Sequence, residues 1–314
     1  MLEARDITPV TVGIATRRHG AVRNASGIDA AAAARTVAEG RALGPPLVGS
    51  AAAWIAELPA GDADALVVIE TTPLDVQTGE PAIGHVRAAL ARGAHVITAN
   101  KGPVAFAYRA LAAEAAARRL VWRFEGAVMD GVPVFNFVRE TLPGATVLGF
   151  RGVVNSTTNH MLTAFEHDEA FAPALARMQA EGIAEADASL DVDGWDAAAK
   201  AAALANVWLD AETTPADVRR EGITPATAAR AREARAAGRR LKLVAHARGR
   251  GAGVRPVVEL QELAADDPLA ILDGQANALE IDTWPLGRLV ITQRDGGLEK
   301  TAYALLSDLL HLTP

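Results

Sequence analysis

Residues 65–103, ALVVIETTPLDVQTGEPAIGHVRAALARGAHVITANKGP, decide the fold. The stretch opens with a compact apolar run, 65–70 (ALVVIE), of the kind a strand buried on both faces requires. A helical pattern covers 80–92, and a second short strand follows at 95–98 (HVIT). Outward from there the alternation continues. Residues 104–119 read as a helix and 120–124 as a strand; on the N-terminal side 30–38 reads as a helix and 8–15 (TPVTVGIA) as a strand. Strands alternating with helices predict a parallel sheet with right-handed crossovers, a doubly wound nucleotide-binding layout. Such sheets hold ligands beyond the carboxyl ends of their strands. Three loops are singled out: 16–20 (TRRHG), Thr71-Thr72-Pro73 and 99–103 (ANKGP).

Past Phe124 the pattern changes. Residues 132–141, 157–166 and 173–181 read as helices, 146–154 as a strand and 194–209 as a long Ala-rich helix. β-rich stretches follow at 241–247, 254–260, 276–281 and 287–292, and 301–310 closes the chain as a helix. The expectation is an α/β protein. A Rossmann-like parallel-sheet domain spans 1–125, an α+β catalytic and dimerisation domain spans 126–290, and 291–314 returns to the first domain. The polar, Ala/Arg-rich segment 211–240 reads as a surface helical pair or a mobile excursion.

Composition excludes several classes. The chain has 314 residues, room for two domains, with 50% hydrophobic and 22% charged residues, as in soluble globular proteins. Without cysteine there is no disulfide, thiolate metal site or cysteine nucleophile. A net charge of -7 argues against a nucleic-acid partner. No apolar run reaches the roughly 18 residues that span a membrane, and MLEARDITPV has no signal-peptide core. A cytoplasmic enzyme acting on a small molecule is expected.

The strongest chemical signal is residues 182–200, GIAEADASLDVDGWDAAAK. It carries Glu185, Asp187, Asp191, Asp193 and Asp196. A solvated acidic loop is the plain reading. A calcium loop fails on spacing, since its first ligand position would be Ser189 and its closing glutamate position is Lys200. In the following helix Asp196, Lys200, Ala203, Leu204 and Val207 share a stripe, and alanines with Trp208 cover the other side. A helix apolar all round is buried, which places Lys200 inside the protein, one turn from Asp196. Desolvation and a nearby carboxylate pull a lysine's proton affinity in opposite directions and suit it to proton transfer. Lys101 lies at the sheet's ligand edge, a contact for cofactor or substrate, or else a solvent-facing lysine. Residues 151–159 (RGVVNSTTN) run from a strand into a helix, where Ser, Thr and Asn cap the helix or face a substrate carboxylate. Residues 125–132 (EGAVMDGV) form a turn that could hold a hard cation.

Taken together these segments resemble homoserine dehydrogenase. VITANKGPVA (96–105), EGAVMDGVPV, NSTTNHML (155–162), GIAEADASLDVDGWDAAAK, Asn277-Ala278 and TAYALLSDLL match that family in order and spacing across essentially the whole chain. The resemblance implies NAD(P)-dependent interconversion of L-homoserine and L-aspartate 4-semialdehyde, a step of threonine, methionine and isoleucine biosynthesis. It implies that Lys200 transfers the proton, that Lys101 touches substrate and nicotinamide, and that Asp196 orients Lys200. Glu185 and Asp191 would hold the substrate ammonium. Thr71, Thr72, Ser156 and Gly297 would contact the cofactor. Glu125, Val128, Asp130 and Val132 occupy sodium-site positions, Asp130 replacing a small residue. A homodimer through the middle-domain sheet is also implied. A dehydrogenase of a related amino-alcohol, or a paralogue without cofactor, are the alternatives.

The sequence departs from the family pattern in further places. Ser156 stands where the family has glycine, and Asp295 replaces a glycine before the closing helix. No strand followed by G-x-G-x-x-G opens the chain, so either a truncation of about thirty residues, including the sheet's first strand, or a rebuilt domain is expected, with truncation favoured. The turn after 8–15 carries Arg17 and Arg18 and no carboxylate, favouring the 2′-phosphate of NADP, with NAD as the other possibility.

Overall fold

The structure is a computed structural model that describes residue 2 and residues 5–59, 62–184 and 187–312. Its N-terminal part holds β1 (Gly13–Thr16), β2 (Gly20–Arg23), α1 (Ala30–Ala38), α2 (Ala51–Ala56) and β3 (Val67–Glu70). It continues through α3 (Ala82–Arg92), β4 (His95–Thr98), α4 (Lys101–Ala117) and β5 (Trp122–Arg123). β3, β4 and β5 form a parallel three-stranded sheet in that order. The Rossmann-like alternation read from residues 65–124 is therefore present. α3 packs Val86, Ala89 and Leu90 inward, each fully buried, and ends at Gly93 in the left-handed conformation that glycine tolerates.

One expectation is corrected. Residues 8–15 do not supply a strand to this sheet. β1 turns back through Arg17-Arg18-His19 and pairs antiparallel with β2. The reason is local. The Thr16 hydroxyl accepts from His19 N at 2.8 Å, and Gly20 takes a positive φ of 75°, so the chain reverses within three residues. Nothing pairs with the outer edge of β3 among the described residues, and Ile69 there is 49% exposed.

The second part contains α5 (Val134–Asn136), β6 (Thr146–Val153), α6 (Ser156–Phe165), α7 (Phe171–Ala180), α8 (Ser189–Val192) and α9 (Trp195–Trp208). Then come β7 (Arg219–Arg220), α10 (Thr227–Ala236), β8 (Arg239–Arg248), β9 (Val257–Ala264), β10 (Asn277–Trp284), β11 (Gly287–Gln293) and α11 (Leu298–Leu310). Six strands make one mixed sheet in the order β11-β10-β6-β8-β9-β7. The segment 211–240 holds a 3-10 turn (Pro215–Asp217), β7, α10 and the start of β8 rather than a surface helical pair or a mobile excursion: β7 pairs parallel with β9, and α10 buries Ala228, Ala231 and Ala234. α9 is the central helix, with alanines 197–199, 201–203 and 205 buried on every side. Alanine lets neighbouring backbones approach closely, and α4 lies directly against α9.

α11 returns to β4 and to the turn that follows β5. Asp308 on α11 is completely buried; its carboxylate accepts from Glu125 N at 2.7 Å and from Asn136 Nδ2 at 3.2 Å. Burial raises the Asp308 carboxyl above its ordinary range.

Candidate active site

Each side chain of the site is placed by a local rule. Gly194, left-handed at φ 78°, lets the chain turn into α9. Asp196 then falls in the first helical turn, where a carboxylate suits the helix dipole, and Lys200 stands one turn on. Lys101 is the first residue of α4, behind an Asn100 cap whose side chain accepts from Gly102 N at 2.8 Å. Asn155 caps α6 through its Oδ1, accepting from Thr158 N at 2.8 Å.

These elements converge on Asp196. Its Oδ1 lies 3.2 Å from Lys101 Nζ, and its Oδ2 lies 3.1 Å from Lys200 Nζ. One carboxylate thus bridges two ammonium groups. Lys200 Nζ also donates to Val154 O at 2.6 Å. An ammonium has three N–H bonds, so one remains for a reacting oxygen. Burial alone would raise the Asp196 carboxyl; the Lys200 and Lys101 charges and the Asn155 hydrogen bond outweigh it and hold the group well below the usual carboxylate range. Asn155 Nδ2 donates to Asp196 Oδ2 at 2.9 Å and to Asp191 Oδ1 at 2.7 Å. Because its Oδ1 is committed to the helix cap, the amide can present only its NH₂ to the two carboxylates. Asp191 titrates above its ordinary range through burial and the neighbouring Asp196 charge, opposed by Asn155 and Thr157. A cation placed beside it would restore its charge. Glu185 lies outside the described residues.

A second group of expected residues meets at the start of α11. Asp130, at φ 46°, accepts from Gly297 N at 3.0 Å and from the Thr301 hydroxyl at 3.3 Å. Its side chain is therefore the cap of α11. A Cβ on Gly296 would lie 2.8 Å from Asp130 Oδ2 and 3.9 Å from the Ser156 hydroxyl, so Ser156 and Asp130 approach the same loop. Ser156 Oγ accepts from Asn277 Nδ2 at 2.9 Å. Thr72 donates to Glu70 through N and hydroxyl, and Thr71 is exposed beside it.

Other expected residues stand apart. Arg17 and Arg18 are exposed at the tip of the β1–β2 hairpin and no longer follow a strand of the parallel sheet. Both Glu125 oxygens accept backbone N–H groups, of Phe135 at 2.9 Å and Asn136 at 2.6 Å, and burial pushes its carboxyl up to about 7. The Val132 carbonyl accepts from Val134 N. No group of three or more His, Asp or Glu side chains suited to a metal occurs among the described residues. For sodium the side chains of this segment are thus already committed, and only backbone carbonyls could serve.

Sequence reasoning missed Asn155, Glu70 and Lys242 as individual residues. A signal was available for the lysine. Among 31 lysines and arginines only Lys101, Lys200, Lys242 and Lys300 are lysines, and an arginine cannot give up its proton as a lysine can. Lys242 is completely buried and donates to Asn159 Oδ1 at 2.9 Å and to Leu272 O.

A proton-carrying amine beside a second cation, at the carboxyl edge of a nucleotide-binding type of sheet, can protonate an oxygen while hydride arrives at its carbon. The class so defined is the nicotinamide-dependent oxidoreductases acting on a CH–OH group. Comparison with known proteins narrows it. The family model described as homoserine dehydrogenase matches residues 133–310. The NAD(+)-dependent homoserine dehydrogenase of Pseudomonas canavaninivorans is 37% identical over 313 residues, 96% of this chain and 86% of the relative. The homoserine dehydrogenase of Methanocaldococcus jannaschii is 36% identical over 252 residues, 80% of this chain and 74% of the relative. A solved hyperthermophilic archaeal homoserine dehydrogenase in complex with NADPH has a TM-score of 0.78 at 25% identity, covering 96% of this chain and 87% of that one. The chain belongs to the homoserine dehydrogenase family.

The residues toward the nicotinamide end fit such a cofactor: Lys101, Thr72 and the Asn100 loop stand at the carboxyl ends of β3 and β4. A cradle for its diphosphate is absent among the described residues, where no glycine-rich turn joins a parallel strand to a helix.

Proposed function

We propose that this chain interconverts L-homoserine and L-aspartate 4-semialdehyde, with Lys200 as the group that exchanges a proton with the substrate oxygen. The observation that carries this is the Asp196 bridge between Lys200 and Lys101. In the reducing direction Lys200 Nζ gives a proton to the aldehyde oxygen, and Lys101 stabilises the negative charge gathering there. In oxidation the neutral Lys200 amine takes the hydroxyl proton. Asp196 is the positioning residue for both amines. Asp191, together with Glu185, would pair with the substrate ammonium. NAD(P), when bound, donates or accepts the hydride.

The test is steady-state turnover with homoserine. Lys200→Ala should lower kcat by about a thousandfold with little change in dinucleotide affinity, the range general acid–base residues supply. Unaltered kcat would remove Lys200 from the mechanism.

Several narrower proposals accompany this. NADP is proposed as the preferred cofactor on the charge of the hairpin turn alone, which has two guanidiniums and no carboxylate but follows no strand of the parallel sheet; Arg17→Ala and Arg18→Ala should weaken NADP more than NAD in calorimetry. A sodium ion would bind only the backbone carbonyls of Glu125, Val128, Asp130 and Val132, and sodium should then raise thermal stability more than equal potassium. The domain limits are 125/126 and 290/291. A homodimer forms through the middle-domain sheet, whose Trp284, Leu286 and Val290 are exposed apolar side chains; light scattering would give the dimer mass. The unpaired β3 edge and the absent cradle favour a second reading, a paralogue that binds no dinucleotide. Calorimetry that detects neither NADP nor NAD binding would select it.

A further inference from the structure

Glu70 ends β3 and is 4% exposed. The one ion-pair partner of Glu70 among the described residues is the His85 imidazole, with Nδ1 at 3.7 Å; no lysine or arginine pairs with it. A buried anion without a strong counter-charge is costly, so its hydrogen bonds show what it is kept for. Glu70 is the register partner of Thr98 on β4, which sets the two side chains side by side. The Thr98 hydroxyl donates to Glu70 Oε2 at 2.7 Å and accepts from Asn100 N at 3.0 Å. Glu70 Oε1 accepts from Thr72 N at 2.9 Å and from the Thr72 hydroxyl. Asn100 closes the circuit, donating to Thr72 O at 2.8 Å and Pro73 O at 3.2 Å while its Oδ1 caps α4.

One carboxylate therefore clamps both loops at the sheet's carboxyl edge. Every polar atom of the Asn100 side chain is spent, so the backbone entering α4 cannot turn. Lys101, the next residue, is left only its own side-chain torsions with which to reach Asp196. A lysine at a helix N-terminus is repelled by the helix dipole, so something must hold it there.

We propose that Glu70 is a positioning residue that fixes Lys101 in the reacting centre through Thr98 and Asn100. This rests on Lys101 belonging to that centre. In Glu70→Gln the new NH₂ must face Thr72 N–H, losing that bond, or the Thr98 hydroxyl, reversing that bond and taking its acceptor away, so the clamp weakens on one arm.

The experiment is amine labelling of the full chain with trinitrobenzenesulfonate, read lysine by lysine by peptide mass spectrometry, with Lys300 as internal reference. In Glu70→Gln, Lys101 should react about fivefold faster while Lys200 and Lys300 keep their rates, a local opening rather than a global one. Thr98→Val breaks the next link with a side chain of similar shape and should do the same, which keeps the test decisive if Glu70→Gln fails to fold. An unchanged Lys101 rate in Thr98→Val, or equal acceleration of all lysines, overturns the proposal. Turnover adds a second readout. Glu70→Gln should lower kcat about thirtyfold in the wild-type background but less than about twofold on top of Lys101→Ala, whereas additive losses would show a role not exerted through Lys101. If the chain has no homoserine activity the proposed function falls, and the labelling still decides on Glu70.

Discussion

The α9 centre and the three-stranded parallel sheet are built to different standards. Around α9 the ammonium groups, carboxylates and Asn155 are linked to one another, and most of the helix is buried. In the parallel sheet only β4 lies between two neighbours; β3 and β5 have no strand on their outer edges among the described residues, and Ile69 on β3 is half-exposed. Parallel strands are normally covered on both faces. The groups proposed to move a proton thus lie in one linked cluster, while the parallel sheet ends at β3 among the described residues. The difference separates chemistry from cofactor capture, and each can be perturbed alone.

The largest effect should come from Asn155. Asn155→Asp replaces the NH₂ between Asp191 and Asp196 with a third carboxylate and leaves two buried anions unbridged. We expect kcat/KM to fall by a factor on the order of a thousand, the scale of losing a preorganised donor plus a like-charge penalty. Parallel kinetics on Thr72→Val, in the other region, should give a far smaller change. Comparable losses would dissolve the distinction.

That comparison was only partly legible in the sequence. The largely enclosed position of Lys200, 13% exposed at its side chain, followed from alanines around a full helical wheel, a property of side-chain period alone. The strands at 65–70 and 95–98 followed from apolar runs. The direction of the strand at 8–15 did not, because an antiparallel return depends on three turn residues and on Thr16 accepting from His19 N. The roles of Asn155 and Glu70 were hidden for another reason. Both act through partners far off in the chain, Asp191 and Asp196 for one and Thr98 for the other, and no local pattern encodes such pairings. Asp130 likewise accepts from Gly297 N, 167 residues on in the chain.

Packing offers the next contrast. Leu204 in α9 is fully buried, so Leu204→Ala should cost about 3 kcal/mol of stability by lost transfer energy and a residual cavity. Urea unfolding would measure it, and a cost under about 1 kcal/mol would mean the helix is less tightly enclosed than described.

Lys242 gives an electrostatic test beside the second, smaller core cluster, where Leu272 and Val244 are buried. Burial, helped by the Arg240 charge and opposed by Glu166 and Asp273, lowers its amine from the ordinary 10.5 to about 8. A lowered lysine favours the neutral form when folded. Between about 8 and 10.5 the unfolded chain then holds more protons, so this group makes stability rise with pH across that window, and below pH 8 its full penalty applies. The rise should be on the order of 2 to 3 kcal/mol. Lys242→Met should flatten it in denaturant titrations between pH 7.5 and 10; an equal slope in the variant would assign the pH dependence elsewhere.

The smallest effect belongs to the outer edge of β3. Ile69 is 49% exposed on β3, so truncating it removes surface that water already touches. Ile69→Ala should therefore change unfolding free energy by less than about 1 kcal/mol, against the larger loss at Leu204. Amide exchange sharpens the point, since β4 amides lie between two partners and those at the free edge of β3 do not. The β3 edge should exchange at least about tenfold faster than β4. If Ile69→Ala proves as costly as Leu204→Ala, and β3 exchanges as slowly as β4, the edge is covered in solution. The two regions would then be equally complete.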